Sequence, residues 1–206
     1  MSQKQINEIL NKIEMDQENS QFKAMGWKPI VSVHPNAKIL IIGQAPGLKT
    51  QNIGSVFHDQ SGDRLREWLG VTEAQFYDPA LFAILPMDFY FPGKGKSGDL
   101  PPRKNFATKW HPLLLEQMPH IKLTILIGSY AQNYYLKNRC ERNLTETVRN
   151  FKAYLPQYFT IVHPSPLNRR WMAKNPWYET DVLPILKQSV KAILESDSPL
   201  VEVSSQ

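Results

Sequence analysis

His163 opens the run HPSPLNRR, a segment in which almost every side chain can touch a charged or stacked ligand. An imidazole exchanges its proton near neutrality and both donates and accepts hydrogen bonds. Two prolines make Pro164-Ser165-Pro166 rigid. A rigid Ser-Pro turn grips a phosphate through its hydroxyl and backbone N–H groups with little entropy lost on binding. Leu167, held just beyond, is an apolar tip beside Asn168, Arg169 and Arg170. An apolar wedge flanked by cations suits a protein that enters a base stack and fills the gap left there. The competing reading of His163 is a satisfied core histidine.

A second candidate is GQAPG, Gly43 to Gly47. It lacks the Lys-Ser/Thr of the phosphate-cradling loop and the third glycine of the dinucleotide fingerprint. A short Gly/Pro turn presents backbone N–H groups in a fixed fan able to hold a carbonyl oxygen or an anion. Gly43 and Gly47 permit close approach and Pro46 stiffens the turn. A plain strand-to-helix turn is the alternative.

Other residues carry two readings each. Phe57, in GSVFHDQSGD, could stack on a planar ligand or fill the core. Asp88, in LPMDFYFPG, could be a water-activating base, an acceptor for a base edge, or a turn cap. His58 shares the ambiguity, with Asp59 beside it. His34, His111 and His120 have no supporting motif and are read as structural. Cys140 stands alone, so an internal disulfide and a cysteine-held zinc or iron–sulfur cluster are excluded.

These residues need elements to hold them. Lys38 to Ile42, Ala80 to Leu85, Leu123 to Ile127 and Phe159 to Val162 read as strands, the first and third as uninterrupted apolar runs buried on both faces. Helices are expected over Gln3 to Met15, from Asp63 (as N-cap) to Leu69, over Phe106 to Met118, after Gly128, and from Trp177 to Glu195. The segment from Asp88 to Arg103, rich in glycine and proline, reads as a long loop. Alternation of strands and helices predicts an α/β fold, a three-layer α/β/α sandwich with a central four-stranded mostly parallel sheet. Ligands in such sheets bind at the carboxyl ends of the strands, and those ends here carry GQAPG, PMDFYFPG, GSY and HPSPLNRR. A single domain over residues 1–206 is expected, its core at about 36–193, with a polar C-terminal tail.

The chain has 206 residues, 42 % of them hydrophobic, with a formal net charge of +5. No stretch is apolar enough to span a bilayer and the N-terminus lacks the layout of a signal peptide, so a cytoplasmic location without membrane association is expected. The basic excess fits a polyanionic partner. Lys94, Lys96, Arg103, Lys104 and Lys109 cluster in one stretch, and Arg169, Arg170 and Lys174 in another.

In this order, the pieces resemble the uracil-DNA glycosylase superfamily. GQAPG is similar to its water-activating and base-binding loop, and HPSPL to the loop that pinches DNA and inserts a leucine. VFHDQSGDRLREWL is similar to the stretch that supplies a stacking phenylalanine and the following helix, and LTILIGSYAQ to the third-strand segment. FYFPGKGKSGDLPPR and the helix after it are similar to a bacterial subfamily without an iron–sulfur cluster. The resemblance covers roughly residues 36–193. It implies base excision by a monomer acting on single- or double-stranded DNA, without metal or cofactor. The flipped base would stack on Phe57 against Gly43, Ala45, Pro46 and Gly47, with backbone groups of Gln44 and Ala45 at its carbonyl edge. His163 would stabilise charge on the leaving base. Ser165 and Pro166 would compress the phosphates, Leu167 would fill the stack, and Asn168 and Arg169 would contact the backbone.

Two departures from the family pattern matter. Ala45 stands where the best-known branch has Asp. The branch with Ala there usually has Glu at the position of Gln44 and four cluster-binding cysteines. Gln44 can orient a water but cannot take its proton. Asp88 is the nearest carboxylate expected to replace the missing one. Three readings follow: a glycosylase of deaminated bases, a non-catalytic nucleic-acid or nucleobase binder on the same fold, and a hydrolase of small nucleoside-like molecules. Leu167 counts against the last, because a small substrate needs no wedge.

Overall fold

The computed structural model describes residues 2–196, and the C-terminal tail expected from the sequence lies outside them. The chain begins with α1 (Gln3–Met15) and α2 (Ser20–Ala24), then β1 (Ile39–Ile42). After it come α3 (Leu48–Ile53), α4 (Gln60–Leu69), α5 (Glu73–Phe76) and β2 (Phe82–Ile84). The second half holds α6 (Phe106–Leu115), β3 (Leu123–Ile127), α7 (Gly128–Leu136), α8 (Leu144–Arg149), β4 (Tyr158–Ile161), α9 (Arg169–Lys174) and α10 (Leu183–Glu195).

The strands form one sheet in the order β2-β1-β3-β4. Every pairing between them is parallel, so all their carboxyl ends meet one rim. Side chains alternate across the strands. Ile39, Ile41, Ile125 and Ile161 pack with Leu65 and Trp68 of α4 and Leu186 and Val190 of α10. Leu40, Ile42 and Leu126 face the other way, onto Ile6 and Ile13 of α1 and Phe106, Trp110 and Leu114 of α6. The two apolar faces are the physical content of the expected three-layer sandwich.

Local chemistry corrects several boundaries. The helix expected to start at Asp63 starts at Gln60, because Asp59 caps it by accepting from the N–H groups of Ser61 and Gly62, both at 3.0 Å. Asp63 instead sits in the first turn and pairs with Arg66 at 2.6 Å. The final helix starts at Leu183 after a π-helical turn, Tyr178–Val182, with Pro184 in its first turn where a missing N–H costs no bond. GQAPG runs directly into α3. The segment after Asp88 contains a hairpin in which Lys94 and Asp99 form an antiparallel bridge.

Candidate functional site

At the carboxyl end of β1, GQAPG turns into α3, with Gly47 as its N-cap. The chain leaving β2 runs alongside. Leu85 N–H donates to Ile41 O at 2.9 Å, Met87 N–H to Gly43 O at 2.9 Å and Asp88 N–H to Gln44 O at 3.1 Å. The carbonyls of Gly43 and Gln44 are thereby used, while the N–H groups of Gln44 and Ala45 make no hydrogen bond among the described residues. Pro46 is buried and Gln44, Ala45 and Gly47 are half-buried. The turn therefore offers adjacent free donors on a rigid, partly covered backbone, an arrangement that binds a carbonyl oxygen.

HPSPL leaves β4 at the same rim. Ser165 N–H donates to His163 Nδ1 at 3.1 Å, and Asn168 Nδ2 donates to His163 O at 2.7 Å. Leu167 N–H donates to Ser165 Oγ at 3.2 Å. These bonds fold the segment into a stiff short turn with Leu167 at its tip, 91 % exposed. A backbone N–H can only donate, so Nδ1 must be the unprotonated nitrogen. The neutral ring then carries its hydrogen on Nε2, free to donate outward. The exposed edge of the ring meets solvent, but the surrounding protein desolvates it enough to lower its pKa below the ordinary histidine value, with the Asp59 charge opposing the shift. Neutral imidazole is the form favoured at pH 7.

Asp59 thus lies within electrostatic reach of His163, and α4, which it caps, is tied to HPSPL through Arg64, whose Nη1 donates to Ser165 O at 3.4 Å. Oδ1 of Asp59 caps α4, and Oδ2 has no hydrogen-bond partner among the described residues. Two residues earlier, Phe57 has φ 56°, a left-handed conformation unfavourable for a bulky side chain. Its carbonyl is held by Tyr77 OH at 2.8 Å, with Arg66 Nη1 at 3.4 Å. Gly62 makes room for that carbonyl, since a Cβ there would stand 1.7 Å from it. The Phe57 ring meets Phe76 edge-on at 6.1 Å and stays half-buried. The left-handed backbone at Phe57 is thus braced from two sides, by Tyr77 and Arg66.

The structure corrects the expectation for Asp88. Its side chain is 0 % exposed and both oxygens are occupied. Oδ2 accepts from Arg103 Nε at 2.7 Å and Arg103 N–H at 3.1 Å, while Oδ1 accepts from Arg103 Nη2 at 2.8 Å and Tyr90 N–H at 3.1 Å. The Arg103 guanidinium and two backbone N–H groups take up every acceptor position of this carboxylate, so it has no lone pair to offer a water. The backbone of Asp88 shapes GQAPG; its carboxylate anchors the loop that follows.

Sequence reasoning met Asp59 only as the neighbour of His58 and Arg103 only as one of a basic cluster, and it passed over Arg64. In sequence Asp59 is one of two acidic residues near the start of α4, and its cap bonds distinguish it from Asp63. His111 is confirmed as structural, buried between Pro86 O at 2.9 Å and Tyr135 OH at 2.6 Å. His58 stacks on Tyr77 at 4.4 Å and borders a cleft of about 440 Å³ beside β2 that includes neither His163 nor any residue of GQAPG. Arg169, Arg170 and Lys174 are exposed on α9, and Lys94 and Lys96 on the hairpin. Cys140 is half-buried, and burial pushes its thiol pKa up. Among the described residues no helix is long and apolar enough to cross a membrane.

Residues 31–187 match the family model described as the uracil DNA glycosylase superfamily. Among solved structures, the chain is similar to a solution NMR structure of a candidate uracil DNA glycosylase from Methanosarcina acetivorans. The two share 13 % identity with a TM-score of 0.46, over 77 % of this chain and 94 % of the other.

Proposed function

Because the chain belongs to the uracil DNA glycosylase superfamily, we propose that it hydrolyses the N-glycosidic bond of a flipped, deaminated base in DNA. The observation that carries this reading is the bond from Ser165 N–H to His163 Nδ1. It leaves a neutral imidazole with Nε2–H as a fixed donor at the rim where GQAPG offers its own free donors.

The flipped base stacks on Phe57, and its carbonyl edge meets the N–H groups of Gln44 and Ala45. As the bond from C1′ to the base nitrogen stretches, its electron pair moves into the base. Nε2–H of His163 stabilises the negative charge gathering on a base oxygen, without transferring a proton. Positive charge develops on the deoxyribose. Asp59, fixed by its cap bonds, faces that charge and replaces the carboxylate that Ala45 does not supply. Water, oriented by the Gln44 side-chain amide, forms the new C–O bond at C1′ and gives its proton to Asp59. That proton passes to solvent, from which the departing base is protonated. Leu167 fills the vacated stack, while the Ser165 hydroxyl, Pro166, Asn168 and Arg169 hold the flanking phosphates.

Purified protein incubated with duplex and single-stranded oligonucleotides carrying uracil, hypoxanthine, xanthine or a mismatch tests the proposal. Alkali-labile sites at one of the deaminated bases are expected. Salt-sensitive DNA binding with no product on any substrate would overturn it. That result would favour a non-catalytic binder on the same fold, the reading to which Ala45 and the sequestered Asp88 lend weight.

A further inference from the structure

The segment Gly93 to Leu100 folds back over the start of α3. Gly95 N–H donates to Gly98 O at 2.8 Å and Leu100 N–H to Gly93 O at 2.9 Å, closing a hairpin. Gly93 and Gly98 have φ 112° and 92°, conformations that side chains rarely adopt. Leu100 lies across the hairpin, within 3.2 Å of where a Cβ on Gly93 would stand. Both ends of the hairpin are pinned. Before it, Phe91 N–H donates to the buried Gln51 of α3 at 2.9 Å. After it, Arg103 is clamped to Asp88 and lies over the rings of Phe22 and Phe106 at 4.9 and 4.3 Å.

This anchoring puts one carboxylate on the candidate base-binding turn. Oδ2 of Asp99 lies 3.6 Å from the position a Cβ on Gly47 would occupy, an ordinary contact distance. Lys94 Nζ holds Oδ1 at 2.6 Å. Oδ2 makes no hydrogen bond among the described residues, and the Asp99 side chain is 32 % exposed. The turn thus combines free donors, the N–H groups of Gln44 and Ala45, with one acceptor oxygen that has no hydrogen-bond partner among the described residues. Nothing in its role as a turn requires that acceptor.

A donor set beside an acceptor is complementary to a lactam, in which a carbonyl oxygen adjoins a ring N–H. Uracil, hypoxanthine and xanthine carry that pair. Cytosine and adenine carry an amino group beside a bare ring nitrogen, and so present the opposite pattern. A carboxylate facing a ring N–H gains a charge-assisted hydrogen bond; facing a ring lone pair, it is repelled. The glycosidic bond fixes which edge meets the turn, so the amino bases cannot slide into the favourable register. We propose that Asp99 is the specificity-determining residue, accepting the lactam N–H of the bound base and so selecting uracil and hypoxanthine over their amino parents, cytosine and adenine. The inference rests on the reading of GQAPG as the base-binding turn.

The test uses the full chain and single-stranded oligonucleotides with one 2′-fluorinated deoxyuridine or deoxycytidine, the fluorine slowing bond cleavage during titration. The wild type is expected to bind the uracil strand about ten- to a hundredfold more tightly than the cytosine strand, the range of a charge-assisted hydrogen bond. Asp99→Asn replaces an acceptor with an amide that both accepts and donates. It should narrow the ratio to within a few-fold, chiefly by gaining affinity for cytosine. A structural role would not produce that gain, and loss of a largely exposed ion pair with Lys94 should leave the thermal midpoint close to wild type. Gly47→Leu, which sets a bulky side chain against Oδ2, should narrow the ratio as well.

Equal binding of both strands by the wild type overturns the proposal, and so does a ratio that Asp99→Asn leaves unchanged. Cleavage of unmodified uracil strands with an unresponsive ratio would keep the glycosylase reading and remove this one. A responsive ratio without cleavage would do the reverse.

Discussion

The backbone N–H of Ser165 points at Nδ1 of His163, 3.1 Å away, and fixes the imidazole as a neutral Nε2–H donor. Protonation at Nδ1 would set an N–H against an N–H and break the turn. Desolvation, which lowers the His163 pKa, acts in the same direction. Replacing His163 with Ala should therefore reduce kcat on a uracil-containing strand by about a hundred- to a thousandfold, the usual loss for one oxyanion-type donor. DNA affinity should change only a few-fold. Because the folded pKa lies below 6.5, the His163-dependent part of kcat should hold at neutral pH and decline at a lower pH than an ordinary histidine would give. A pH–rate profile for wild type and variant checks both statements. A wild-type rate that rises as this ring becomes protonated would contradict them.

Gly62 and Phe57 give a second prediction. A Cβ on Gly62 would meet the Phe57 carbonyl at 1.7 Å, so Gly62→Ala must push that segment away from the bonds it receives from Tyr77 and Arg66. Overpacking of this kind costs about 1–3 kcal/mol, and the displaced Phe57 ring should lower affinity for a base-containing strand. At Phe57 itself, Gly and Ala both remove the ring, but only Gly relieves the left-handed backbone at φ 56°. Phe57→Gly should be about 1 kcal/mol more stable than Phe57→Ala, with activity lost in both. Urea unfolding of the three variants reads the differences. Equal stability of Gly and Ala at position 57 would remove the strain argument.

Why some of this was legible in the sequence and some was not follows from the range of the forces involved. The apolar runs Ile39 to Ile42 and Leu123 to Ile127 specify buried parallel strands by composition alone, and the parallel sheet then delivers GQAPG and HPSPLNRR to one rim. Turn stiffness at Pro164-Ser165-Pro166 is equally local. The state of Asp88 is not. Its partner Arg103 is fifteen residues away across the hairpin, and a carboxylate at a strand end looks the same in sequence whether it faces water or a guanidinium. Asp59 and Asp63 show a finer limit. Both are acidic residues near a helix start, and only the geometry of the Ser61 and Gly62 N–H groups decides which one caps. Asp99 reaches Gly47 through a hairpin whose registration comes from glycines that, read singly, signal only a loop.

The Asp88–Arg103 pair yields a third prediction, one that separates an anchor from a base. Arg103 makes three side-chain or backbone bonds to Asp88, another to Asn19 Oδ1 at 2.7 Å, and lies over aromatic rings of the N-terminal arm and α6. Neutralising one partner leaves a charge facing a buried amide. Asp88→Asn should destabilise the fold by about 3 kcal/mol, the lower end for breaking a buried pair whose arginine keeps some contact with water. Below its lowered midpoint the variant should retain turnover within a few-fold. A hundredfold loss of kcat at unchanged stability would instead make Asp88 a proton acceptor in the reaction.

His111 supports the site from below, and its prediction concerns pH. Nε2–H donates to Pro86 O at 2.9 Å, in the segment that runs beside GQAPG, and Nδ1 faces Tyr135 OH at 2.6 Å. The ring stacks on Phe89 at 5.7 Å, in a setting where burial pushes its pKa down to about 4 from 6.5. A depressed histidine pKa means that the unfolded chain binds the proton first. Stability from this group is therefore complete above pH 6.5 and is lost as pH falls toward 4. A shift of that size corresponds to about 3 kcal/mol between the two limits. His111→Gln cannot titrate, so its stability should fall less steeply than that of the wild type over this interval, although it begins lower at pH 7 through lost packing. Urea unfolding at pH 7, 5.5 and 4 measures both slopes, and because carboxylates contribute equally to each protein, their difference isolates His111. Parallel slopes would mean that the ring is hydrated and that the Pro86 carbonyl, with the turn it braces, is held by other contacts.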